Sequence, residues 1–202
     1  MPRLLPVTFP AVWTRRVVLT GTIRDVSDAL DRLVADNVPT PLAGLSVGEL
    51  RQRRNDLQRT EQTLSYLRRL VQGRLDIVLD ERQRRADGAE ARDLSALVED
   101  LPKILAEHTA GGGRGALPDV TMPAADIDGF LADLDRIVSA DRLGRLAELS
   151  AADLDRAADA LSGLEHRVSQ HRRSLHNSID SFQEEIVRRY KTGEASVDAL
   201  LP

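Results

Sequence analysis

Two sets of polar side chains recur along this chain at one spacing. The first is Glu61, Ser65, Arg68, Gln72 and Asp76, with Arg69 beside it; the second is Glu165, Ser169, Arg172, His176 and Asp180, with Arg173 beside it. The steps are 4, 3, 4 and 4 residues in both. At about 100° per residue, each set of five falls within an arc of roughly 80° on a helix and forms a stripe about 22 Å long. An arginine fork binds guanine O6 and N7 together, pairs with phosphate, or stacks on a base face. A carboxylate accepts from the N1–H and N2 amino edge of guanine. Serine, glutamine and histidine add neutral hydrogen bonds to phosphate or sugar. Doubled pairs, Arg68-Arg69 and Arg172-Arg173, each near a carboxylate, suit an anionic guanine nucleotide with an internal two-fold axis.

The elements that must carry these stripes are long helices. Leu57, Leu64, Val71, Leu75 and Val78 form an apolar stripe displaced from the first polar stripe by roughly 80°. Leu161, Val168, Leu175, Ile179 and Phe182 repeat it. A shift of 104 residues lays the halves over one another without a gap. Leu45–Leu50 falls on Leu149–Leu154, and Ala29–Val34 on Asp133–Val138. This is an internal duplication in which each half supplies a short helix and a long one. Symmetry then selects an orientation. Parallel helices would turn their polar stripes to opposite sides, whereas antiparallel helices open both on one side and make a single composite site.

The chain has 202 residues, of which 30% are charged, 42% hydrophobic and 3% aromatic. So few rings disfavour a β-sandwich or barrel. The absence of cysteine removes disulfides, zinc fingers and thiol chemistry. A net charge of -4 gives no general attraction to nucleic acid or acidic lipid, so direct DNA binding is not expected. No apolar run approaches the roughly 20 residues of a membrane helix. Pro2, Pro6 and Pro10 make the start a poor signal-peptide core, and a cytoplasmic protein is expected. The organisation expected is an extended arm over 1–22, a first repeat over 23–108, a Gly/Pro linker over 109–124 and a second repeat over 125–202. Within it, helices are expected over 23–37, 46–85, 91–108, 126–149 with a break near Gly144, and 150–191; Trp13–Thr20 could form one strand. The fold class is all-α: an antiparallel coiled coil of two long helices, with shorter flanking helices and the N-terminal arm.

Glu-x3-Ser-x2-Arg-x3-Gln-x3-Asp on each of two long helices resembles the cyclic di-GMP-binding signature of the RsiG family of actinobacterial anti-sigma factors. Glu61 to Asp76 fits at every position; Glu165 to Asp180 departs only at His176, which stands where the pattern has Gln. The resemblance implies an antiparallel coiled coil that binds cyclic di-GMP as a dimer. It implies that the loaded protein grips the sporulation sigma factor WhiG, as a monomer in a 1:1 complex, and keeps it from RNA polymerase and promoter DNA.

Other readings stand beside it. An Arg/Glu/Asp stripe flanking an apolar seam also describes a solvated coiled-coil flank, which would make the chain a nucleotide-independent adaptor. His166, His171 and His176 are five apart and share no i, i+4 face, so no metal site is expected. No catalytic residues are assigned, since cyclic dinucleotide hydrolysis needs metals and the ligand constellation for them is missing. Gly111–Gly115 leads into Ala-Leu-Pro and reads as a linker rather than a phosphate loop. Phe182 and Tyr190 are expected in the helix seam, and Trp13 is open between a core residue and an anchor for the sigma factor.

Overall fold

The structure, a computed structural model, describes residues 30–35, 41–89, 94–106 and 127–194. Two helices dominate it: α1, Val47–Ala86, and α5, Ala151–Lys191. Between them lie α2 (Leu94–Ala106), α3 (Asp128–Ile137), the one-turn α4 (Ala140–Leu143) and a 3-10 turn at Leu146–Glu148. Residues 30–34 are also helical, and no strand occurs among the described residues. No helix in this set is long and apolar enough to cross a membrane.

Both long helices start on the signals in their sequences. Ser46 Oγ accepts the Glu49 amide at 3.2 Å while the Ser46 amide donates to the Glu49 carboxylate at 2.6 Å, a complete capping box. Ser150 Oγ accepts the Asp153 amide at 3.1 Å, and its hydroxyl donates to the Asp153 carboxylate at 2.6 Å. Both end the same way too. Gly88 (φ 71°) and Gly193 (φ 75°) take the left-handed conformation that closes a helix and that only glycine enters without steric cost.

α1 and α5 pack antiparallel. Arg82 near the end of α1 pairs with Asp155 near the start of α5 at 2.9 Å. Arg54 near the start of α1 bonds Gln183 near the end of α5 at 2.6 Å. The seam is the expected one. Leu57, Leu64, Val71 and Val78 are buried with Leu161, Val168, Leu175 and Phe182. Tyr190 is half-buried against this core, with the Arg51 guanidinium 5.4 Å from its ring centre. The short segments add equivalent residues: Leu30 and Leu134, which the duplication relates, are both fully buried in the same cluster.

The expected helices at 46–85 and 150–191 match α1 and α5 to within a residue, and the one at 91–108 is described as 94–106. The 126–149 stretch needs a correction. It breaks first at Val138, which is extended (φ -146°, ψ 110°), and Ser139 then caps a new turn by accepting the Arg142 amide at 3.3 Å. Arg74 of α1 donates to the freed Val138 carbonyl at 2.6 Å, a partner 64 residues away that local periodicity does not reveal. The arm at 1–22 with its possible strand and Trp13, most of the helix expected over 23–37, and the 109–124 linker lie outside the described residues.

Candidate ligand site on the coiled coil

The polar stripes of α1 and α5 meet across the seam. Arg68 Nε donates to Glu165 Oε1 at 2.8 Å and to Ser169 Oγ at 2.9 Å. Arg172 donates from Nε and Nη2 to Glu61 Oε1 at 3.0 and 2.8 Å. Each arginine therefore reaches the glutamate of the other copy. The duplication relates Glu61 to Glu165 and Arg68 to Arg172, so the two contacts are one contact seen twice about a pseudo-two-fold axis perpendicular to the coil.

The remaining signature residues follow this symmetry. Ser65 donates to Glu61 at 2.7 Å and Ser169 to Glu165 at 2.9 Å. Gln72 Nε2 lies 3.4 Å from Glu165 Oε1, and His176 Nε2 lies 3.3 Å from Glu61 Oε1. His176 thus occupies the place of Gln72 in the other half. Each glutamate gathers a serine, an arginine and an amide or imidazole around one oxygen. Burial pushes the Glu61 carboxyl up, but the Ser65 hydroxyl, the Arg172 guanidinium and the nearby His176 together hold it below the ordinary glutamate value.

Both stripes consequently lie on one side of the coil. With the Glu61–Arg172 pairing setting the register, Arg68 and Arg172 are separated by about 10 Å along the axis. Arg69 and Arg173 are exposed on the outer edge of the same side. Asp76 and Asp180 lie toward opposite ends, roughly 34 Å apart along the axis, and their surroundings differ. Asp76 is buried and lines a groove with Asp100, Lys103 and Ile104 of α2, whereas Asp180 is exposed. The three histidines point to separate neighbours: His166 bonds Gln170, His171 faces Asp31, and His176 faces Glu61.

A second polar set, outside the signature, is also repeated on the two long helices. Glu81 holds Arg84 and Arg85, and Glu185 holds Arg188 and Arg189. Arg85 donates to the carbonyls of Leu146 and Leu149 at 2.6 and 2.8 Å. Arg189 donates to those of Leu42, at 2.9 Å, and Leu45. The end of each long helix thus clamps the segment leading into the other. The 104-residue shift contains this signal, because Glu-x2-Arg-Arg recurs at 81–85 and 185–189.

The RsiG-like family model matches residues 36–105 and 140–202, well over half of the chain. The chain belongs to the RsiG-like family. The two matched stretches contain both signature copies and both clamps, so the RsiG-like match falls on the parts related by the pseudo-two-fold. Membership in this family supports an anti-sigma role in general terms, regulatory rather than catalytic. No curated protein matches the chain at a significant level.

Proposed function

We propose that this RsiG-like chain is a cytoplasmic anti-sigma factor that binds cyclic di-GMP across Glu61–Asp76 and Glu165–Asp180. When loaded, it sequesters a sporulation sigma factor of the WhiG type, one to one, from RNA polymerase and promoter DNA. The observation that carries the reading is the reciprocal pair Arg68–Glu165 and Arg172–Glu61, which brings both signature copies to one face. A ligand with its own two-fold symmetry, such as a cyclic di-GMP dimer, can meet equivalent donors from both helices there. Its phosphates are suited to Arg68, Arg69, Arg172 and Arg173. Its guanine edges are suited to the arginine forks and to Glu61, Glu165, Asp76 and Asp180. Ser65, Ser169, Gln72 and His176 add hydrogen bonds. The switch is a difference in affinity: the nucleotide strengthens sigma binding only as far as it favours the sigma-competent state.

The test is titration of labelled cyclic di-GMP into the protein with the sigma factor present, with cyclic di-AMP and GTP as competitors. Cyclic di-GMP is expected to strengthen sigma association. Arg68→Ala or Arg172→Ala is expected to abolish that effect while helicity survives. Equal sigma affinity with and without nucleotide would refute the switch. One observation favours the alternative of a nucleotide-independent adaptor: Glu61 and Glu165 already receive hydrogen bonds from their own chain, as in an ion-paired flank. That alternative expects sigma binding to be indifferent both to nucleotide and to neutral substitutions along the stripe.

A further inference from the structure

The two halves of the candidate site are not chemically equal. Four donor atoms converge on Glu61 Oε1: the Ser65 hydroxyl at 2.7 Å, Arg172 Nε and Nη2 at 3.0 and 2.8 Å, and His176 Nε2 at 3.3 Å. A carboxylate oxygen offers about two lone-pair sites. The imidazole is the most distant of these groups and is surplus to what that oxygen can accept. In the other half, Glu165 Oε1 is shared in the same way by Arg68 at 2.8 Å, Ser169 at 2.9 Å and Gln72 at 3.4 Å. Each half therefore ends in a spare donor. One is the half-buried amide of Gln72, a group that does not titrate. The other is His176, 53% exposed, and histidine is the side chain that ordinarily changes charge near pH 6.5.

We propose that His176 makes nucleotide binding proton-linked: its imidazolium turns from Glu61 to a ligand phosphate, so that loading takes up a proton from solvent. The proposal rests on the cyclic di-GMP reading and deepens it. The charges around the ring set the sign. α1 presents the Glu61 carboxylate to it, while Arg54 of that helix is turned to Gln183. On α5 itself, Arg172 stands one turn before His176, with Arg173 beside it, and the exposed Asp180 stands one turn after. Asp31 of the short helical segment at 30–34 faces His171 at 3.6 Å. With a neutral imidazole, the charges of Glu61 and Arg172 cancel, as those of Glu165 and Arg68 do in the other half. Protonation leaves the Glu61 cluster with a positive charge to set against a phosphate. An anion there favours the cationic ring, the loaded protein binds more protons than the free one, and affinity rises as pH falls.

The test titrates cyclic di-GMP into the full chain, with a purified WhiG-type sigma factor present, from about pH 8 to about pH 5.5. Wild type is compared with His176→Gln, which gives both halves the same donors. Calorimetry in buffers of different ionisation enthalpy counts the protons taken up. Over this range the wild-type affinity is expected to gain roughly three- to tenfold on that of the variant, with a proton uptake that the variant lacks. Titrating groups of the sigma factor are common to both titrations, so the difference belongs to position 176. His176 is exposed, and the variant is expected to keep the circular dichroism spectrum. Parallel pH profiles, equal proton uptake, or a wild-type affinity that falls relative to the variant in acid would each overturn the proposal and leave the ligand reading standing. If neither protein binds cyclic di-GMP at any pH, both are overturned.

Discussion

Arg172 places two N–H groups on a single oxygen of Glu61, a residue 111 positions earlier in the chain. Its counterpart, Arg68 on Glu165, spans 97 positions. Contacts so distant in sequence arise only because the coil folds back in the one register that lays each signature copy against the other. The same residues that define the candidate ligand site therefore also lock the helix register.

Arg172 and Glu61 are expected to be energetically coupled. Their side chains are 24% and 16% exposed, less than an ordinary surface ion pair. A double-mutant cycle with Arg172→Ala and Glu61→Ala, measured by urea unfolding, should return a coupling of about 0.5–2 kcal/mol. The cycle on Arg68 and Glu165 should return a similar or smaller figure, since those side chains are 35% and 22% exposed.

Acid should loosen the end of α5. Hydrogen bonds from Arg188 and Arg189 pull the Glu185 carboxyl from 4.5 down to about 2. A carboxylate held low in the folded state contributes fully above its ordinary value and loses that contribution as pH falls through the folded one. The melting temperature is therefore expected to drop between about pH 4.5 and 2. Glu185→Gln should lower the neutral plateau and flatten this limb. Thermal melts across that pH range make the comparison.

The clamps are expected to matter for stability as well as for the start of each long helix. Arg189 is only 12% exposed and bonds the carbonyls of Leu42 and Leu45 as well as Glu185. Arg189→Ala should cost about 1–3 kcal/mol in denaturant unfolding. Amide exchange should accelerate at the start of α1, far away in sequence.

Asp76 and Asp180 occupy equivalent signature positions but should respond differently to substitution. Asp76 is 8% exposed beneath α2, and Asp180 is exposed. Asp180→Asn should shift stability by less than about 0.5 kcal/mol, and Asp76→Asn by about 1–2 kcal/mol. Chemical denaturation of the two variants makes the comparison directly.

Much of the architecture is legible from local chemistry. Ser46 with Glu49 and Ser150 with Asp153 announce the long helices, because a cap is decided by residues three apart. Leu64 and Val168 lie on the seam because a 3.6-residue period puts them on the apolar face. The antiparallel orientation follows from requiring two equivalent stripes to share one side. The break at Val138 was not legible, since the carbonyl it frees is satisfied by Arg74 of another helix. Nor was the inequality of Asp76 and Asp180, which comes from where α2 comes to rest rather than from either residue's neighbours in the chain.

By itself, the amino-acid order determined which faces are apolar, where the long helices begin, and that one polar pattern occurs twice, all of which depend on interactions within a few residues. Only the tertiary structure decided that Arg68 meets Glu165 while Arg172 meets Glu61, that Arg85 and Arg189 grip the opposite ends, and that α2 leaves Leu94 and Val98 outward. Those outcomes depend on how whole helices slide and rotate against one another. That choice is made by the summed packing of both seams, and no short window of residues contains it.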